Sequence, residues 1–244
     1  MRKILLLLSF FFFATPITFA ADAYSTVYRV DDRAPEVVFA SGFQPHGTNI
    51  NVEMHLTGWS SGVPSANRTR DSAFISTTVN GDEAQNFMES QIQSGSNYYI
   101  YDIEPDQNFY SADETMHYIA ERQQVSLAIE FEDMLTREEE YFAVGGIRGD
   151  QIRGAEWYYR NPVTQEVEFR GYYANPNFLD RQTETNTEPY TASADLPIEN
   201  RPVFMAFGSN HSASMETDDE SNGSWTSSTI TASGSPVYYS SSSE

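Results

Sequence analysis

Three observations predict an α+β domain. Strand and helix candidates follow one another without a regular strand-helix alternation, which disfavours a parallel doubly wound sheet. Two of the strands, Glu156 to Tyr159 and Glu166 to Tyr173, flank Asn161-Pro162 as an antiparallel hairpin. A chain of 244 residues is long enough for one sizeable core with at most an appendage.

The first twenty residues stand apart from that core. Arg2 and Lys3 precede an apolar run from Ile4 to Phe13, and Thr18-Phe19-Ala20 supplies small residues at the outer cleavage positions. This is the layout of a secretory signal peptide over residues 1–20, cleaved after Ala20. The apolar run is short for a bilayer span. The net charge of −21 becomes −23 once the two cations Arg2 and Lys3 leave, which opposes binding to nucleic acid or to anionic membranes. With no cysteine, thiol nucleophiles, thiolate metal sites and disulfides are excluded. Lys3 is the only lysine, so the mature chain offers no side-chain amine for ubiquitin attachment. Compositional drift and an adaptation to life inside another cell both account for that absence.

Taken in order, Thr26 to Asp31 reads as the first strand, with Val27, Arg29 and Asp31 on one face and Tyr28 and Val30 on the other. Ala34-Pro35 opens a short helix, Glu36 to Ser41, which Gly42 stops. Val52, His55 and Leu56 give at most a brief helical turn between glycines. Ser72 to Thr78 is a second strand ending in three hydroxyl residues, and Gly81 to Ser94 is helical by the spacing of Ala84, Phe87, Met88 and Ile92. Tyr98 to Glu104 is an aromatic strand. Ala112 to Glu121 and Val125 to Leu135 are predicted helices, and Arg137 to Val144 is predicted as a strand that Gly145-Gly146 turns. Beyond Asn175 the signal fades. Residues 21–190 form the expected domain, and 191–244 a partly ordered Ser-rich and acidic extension, with Trp225 and Val237-Tyr238-Tyr239 as docking points.

The acidic triplet Glu138-Glu139-Glu140 is the stretch with the most chemistry. In a strand, Glu138 and Glu140 share a face and Glu139 points away, so two carboxylates meet in one site. The same triplet also reads as a solvated charge run. Arg29 is either an edge-strand surface residue or lines a site, His55 is compatible with a satisfied structural role, and Ser76-Thr77-Thr78 with an ordinary strand end. Four scattered histidines make no zinc motif, and no phosphate loop, nucleophile elbow, kinase signature or internal repeat is present.

These fragments occur in a telling order. Tyr28-Arg29-Val30-Asp31, Arg33-Ala34-Pro35-Glu36-Val37-Val38-Phe39 with Gly42-Phe43, His55-Leu56-Thr57-Gly58, Ser72 to Thr78, Asn108-Phe109-Tyr110 and Glu140-Tyr141 together resemble the pertussis-toxin-like bacterial mono-ADP-ribosyltransferases, from about Tyr28 to Tyr173. The resemblance implies an ADP-ribosyltransferase-like fold, with two small mixed or antiparallel sheets forming an NAD cleft flanked by helices. It implies cleavage of the nicotinamide–ribose bond of NAD and transfer of ADP-ribose to a protein side chain. It assigns NAD holding to Arg29, whose planar fork suits phosphate oxygens. Ser76, with Thr77 and Thr78, would orient the catalytic glutamate and support the nicotinamide ribose, and His55 would be a positioning group. Glu140 would bond the ribose 2′-hydroxyl and face the positive charge that builds on the ribose, while Glu138 would engage the incoming nucleophile.

Departures from the family refine the expectation. Glutamate at 138 goes with arginine acceptors in cholera-toxin-like members, whereas the pertussis subunit has glutamine there and modifies cysteine, so an arginine acceptor in a host protein is expected. His46 replaces a tryptophan near NAD, and Ser61 replaces a cysteine, which removes any disulfide latch. The tail lacks an apolar helix suited to threading a receptor-binding ring, which leaves a receptor-binding B subunit open. Lysine scarcity fits family toxins that reach the host cytosol. The expected protein is thus a secreted arginine-specific transferase needing NAD and no metal. An NAD glycohydrolase and a non-catalytic binding protein are the alternatives.

Overall fold

The computed structural model describes residues 21–57 and 71–197, together with the backbone of 204–206. The expected signal peptide, Ser61, Trp225 and Val237 to Tyr239 lie outside these residues.

Seven antiparallel strands form the main sheet: β1 (Val27–Asp31), β2 (Phe74–Thr78), β3 (Asn97–Ile103), β4 (Phe109–Ser111), β6 (Glu140–Val144), β7 (Ile152–Arg160) and β8 (Val167–Ala174). Their order is β4-β6-β2-β1-β3-β7-β8, while β5 (Val125–Leu127) pairs with β9 (Phe204–Ala206) as a separate ribbon. The main sheet is two small sheets joined by a seam. β1 runs against β3 over five residue pairs, but meets β2 at Tyr28↔Thr78 alone. Beyond that pair the two strands part and a cleft opens between the halves.

Among the described residues five α-helices cover the sheet: α1 (Pro35–Ser41), α2 (Val52–Leu56), α3 (Gly81–Gln91), α4 (Ala112–Arg122) and α5 (Ile129–Glu138). Each starts and stops for local reasons. Pro35 sits in the first turn of α1, and Gly42 ends it at φ +68, where a Cβ would collide with the carbonyl oxygen of Ile147. Asn51, Asn80 and Ser111 cap α2, α3 and α4 through their side chains. α4 buries Ala112, Thr115, Met116, Ile119 and Ala120, the stripe expected of helical spacing. With α2 and α5 it packs over Phe74 and Phe142 of β2 and β6. α3 covers Tyr98 and Ile100, and a third cluster holds Val27, Ile75, Tyr101 and Phe43.

Several expectations change. The segment predicted as one helix from Val125 to Leu135 is a short strand followed by α5, and the helix runs on to Glu138. Residues 137–144 are therefore a helix end, a single left-handed residue at Glu139 (φ +43, ψ +44) and a strand that begins only at Glu140. The inward stripe of α5 is Phe131, Leu135 and Glu138, so Glu138 is buried by helical periodicity and not by strand alternation. Residues 175–197 have little regular structure yet are packed, with Thr185, Ser193 and Ala194 buried.

One buried carboxylate holds much of that last segment. Glu104, 1% exposed, accepts the backbone N–H of Thr183 at 2.8 Å and of Arg181 at 3.1 Å. Burial pushes its carboxyl up, but the N–H groups of Thr183 and Arg181, the Arg153 charge and the Gln182 N–H together outweigh this and hold it below the usual value. Glu104→Ala should cost about 1–3 kcal/mol in denaturant unfolding, because two partly buried backbone donors lose their acceptor. Since the folded carboxyl is depressed, its contribution is complete above the ordinary glutamate range and disappears as pH falls through the lowered value. Amide exchange at Thr183 should rise in the variant; unchanged exchange would mean that the clamp is idle.

Candidate active site

The cleft between β1 and β2 collects side chains from four elements. On β1, Arg29 donates from Nη1 to the carbonyl of Ser76 across the gap at 2.7 Å. Its guanidinium lies 5.1 Å from the centroid of the Phe43 ring, and Arg33 stacks on the same ring at 5.0 Å. Arg33 grips the buried Asp31 with two parallel bonds, Nε to Oδ1 at 2.7 Å and Nη2 to Oδ2 at 2.8 Å. Burial lowers the pKa of Arg29, opposed by the charges of Asp31 and Glu140, yet a guanidinium stays ionised. A fixed cation therefore faces the cleft.

Opposite it, α2 presents His55. The ring is held between two hydroxyls, with Ser72 Oγ 2.9 Å from Nδ1 and Ser76 Oγ 3.1 Å from Nε2. Phe74 and Phe142 meet it edge-on, at centroid separations of 5.3 Å and 6.2 Å. Glu140, the first residue of β6, is 6% exposed, and its Oε1 lies 3.4 Å from His55 Nε2. Two buried polar atoms of the cleft, Arg29 Nε and Glu140 Oε1, make no hydrogen bond among the described residues. A donor and an acceptor left in this state suit a polar ligand that supplies their partners.

Not every residue singled out in the sequence opens onto the cleft. Ser76 shares a face of β2 with Phe74 and Thr78, whereas Thr77 turns to the other face and donates to the Tyr141 carbonyl at 2.5 Å. Thr77 is 2% exposed and ties β2 to β6, so the ligand contact expected of it gives way to a structural bond. Thr78 donates to the Glu138 carbonyl at 2.8 Å and accepts the Asn80 N–H at 3.0 Å, so it fixes the turn instead of meeting solvent. Glu138 is 5% exposed, with Arg137 Nη2 3.3 Å from its Oε1. Glu139 faces outward as expected, where Asn80 Nδ2 donates to its Oε2 at 2.8 Å. Asn80 thus caps α3 with its oxygen and anchors the turn with its nitrogen.

Sequence reasoning missed Ser72, Asp31 and Asn80. The signal was present for the first, since Ser72 lies four residues before Ser76 at the entry to the same strand. The Asp31–Arg33 pair needs the turn after β1 to become visible. Among the described residues no group of three or more His, Asp or Glu is placed to hold a metal ion.

The model of the family described as pertussis toxin, subunit 1 matches residues 22–242. A pertussis toxin subunit 1 homolog from Bordetella parapertussis is 35% identical over 191 residues, covering 73% of this chain and 69% of that protein. The NAD(+)--arginine ADP-ribosyltransferase Chelt of Vibrio cholerae is 28% identical over 162 residues, 64% of this chain and 24% of the relative. Among solved structures, EcPltA aligns with a TM-score of 0.60 at 27% identity, over 69% of this chain and 95% of that one. Fold and relatives together are those of the bacterial mono-ADP-ribosyltransferase toxins, for which NAD is the co-substrate. The chain belongs to the pertussis toxin subunit 1 family.

Proposed function

We propose that this chain is a secreted NAD:protein-arginine mono-ADP-ribosyltransferase acting in the cytosol of a host cell. The observation that carries the proposal is the convergence of Arg29, His55, Ser76 and Glu140 on one cleft, with Arg29 Nε and Glu140 Oε1 awaiting partners. Arg29 would bind phosphate oxygens of NAD, and Phe43 beneath it keeps the guanidinium in place. Glu140, oriented by His55, would accept the ribose 2′-hydroxyl and stabilise the positive charge that develops as nicotinamide leaves. Glu138 would take the proton of the attacking guanidine.

The arginine acceptor rests on glutamate at 138 and is supported by the name of the Vibrio cholerae relative. Secretion rests on the N-terminal segment, and cytosolic action on the absence of lysine beyond Lys3. Among the described residues no helix is long and apolar enough to cross a membrane.

Incubation with labelled NAD and agmatine, a small guanidine, tests the assignment. Label should appear on agmatine together with free nicotinamide. Nicotinamide release without labelled agmatine would replace the transferase by a glycohydrolase, and neither product would return the protein to the non-catalytic class.

A further inference from the structure

We infer that Ser72 is a positioning residue of this site: its hydroxyl donates to His55 Nδ1 and so holds the imidazole with its proton on Nε2, aimed at Glu140 Oε1. The inference rests on the reading of Glu140 as the catalytic carboxylate and extends it to the group that orients it.

The directions of the hydrogen bonds carry the point. Ser72 Oγ already accepts the backbone N–H of Phe74 at 3.1 Å, which commits a lone pair and leaves its proton free for Nδ1 at 2.9 Å. A neutral ring that accepts at Nδ1 bears its hydrogen at Nε2. That hydrogen lies between Ser76 Oγ at 3.1 Å and Glu140 Oε1 at 3.4 Å. A carboxylate only accepts, and this oxygen is buried with no hydrogen bond among the described residues. The opposite tautomer would set the Nε2 lone pair against it, two acceptors face to face in a site closed by Phe74 and Phe142. Two consequences follow. The contact from His55 Nε2 fixes the Glu140 carboxylate and takes at most one lone pair of Oε1, so that oxygen keeps a second one for substrate. Ser76, spared from donating to His55, keeps its own proton for a ligand.

Nitrogen-15 NMR of histidine-labelled protein, with His55→Gln to assign the ring, reads the tautomer directly. The wild-type ring should carry its proton on Nε2 alone. In Ser72→Ala the population should shift toward Nδ1–H, and kcat for nicotinamide release should fall about 10-fold or more, by analogy with the partners that orient metal-bound histidines. The KM for NAD should stay within about two-fold, because Arg29 is untouched. Ser72→Thr keeps the hydroxyl and should restore both readouts. A wild-type ring protonated on Nδ1 or on both nitrogens overturns the inference, as does Ser72→Ala with an unchanged tautomer and rate. If Ser72→Ala fails to fold, the wild-type and Ser72→Thr spectra decide. The wild-type spectrum needs no turnover, so an Nε2–H ring in a protein that releases no nicotinamide would refute the functional reading and with it the positioning role, leaving only the Ser72–His55 hydrogen bond and its tautomer.

Discussion

Replacing Glu140 by alanine is expected to abolish agmatine labelling and nicotinamide release together, each by at least about 10²–10³-fold in kcat. The joint loss follows from where the residue acts. On the proposed reading Glu140 faces the bond that breaks, and both products depend on that step. Glu140→Gln keeps the shape but loses the charge, and should be nearly as damaged, since a neutral amide offsets developing positive charge poorly. Unfolding does not account for the deficit. Glu140 is a buried carboxylate whose only ion-pair contact among the described residues is His55, at 3.4 Å, and Glu140→Gln, which keeps its shape without its charge, separates loss of catalysis from loss of fold. Thermal unfolding close to wild type with catalysis gone is the expected pair of results. Nicotinamide release within a few-fold of wild type would remove Glu140 from the chemistry.

The second large effect is a separation. Glu138→Gln should lower transfer to agmatine by about 10²-fold or more, the usual scale of a lost general base, while NAD cleavage with water as acceptor falls only a few-fold. Glu138 sits across the Glu139 turn from Glu140 and is buried on the inward stripe of α5. On the proposed reading it acts on the second reactant and not on the first bond. The ratio of the two rates is the measurement. If both fall equally, Glu138 has no special relation to the acceptor, and the arginine assignment loses its main support.

The triplet also shows how far sequence reading reaches. Alternation gave the correct division of Glu138 and Glu140 from Glu139, but from the wrong geometry. In α5 the apolar residues Phe131 and Leu135 are continued at helical spacing by Glu138, and a carboxylate in that place does not register as part of an apolar face. The apolar pattern therefore stops at Leu135, whereas the helix continues to Glu138. The left-handed residue that follows is glutamate, which gives no turn signal of the kind glycine or asparagine would. The strands carrying Arg29 and Ser76 were legible because they are built from β-branched and aromatic residues at period two. What joins them was not. The placement of His55 against Ser72 depends on how a five-residue helix docks on Phe74 and Phe142, a tertiary contact that no local pattern announces. The backbone-to-carboxylate clamp of Glu104 on residues 181–183 spans nearly eighty positions and is likewise invisible in one dimension.

The lone rung between Tyr28 and Thr78 has a thermodynamic corollary. Cohesion between the two halves of the sheet is weakest along the line that the cleft follows. A co-substrate held by Arg29 on one side and Glu140 on the other would cross that line as a brace, in place of the backbone bonds that the diverging strands do not make. Whatever binds the folded form alone adds its binding free energy to the work of pulling the molecule apart, in proportion to the logarithm of its concentration over Kd. Occupancy of the cleft and the endurance of the whole domain would then rise and fall as one quantity.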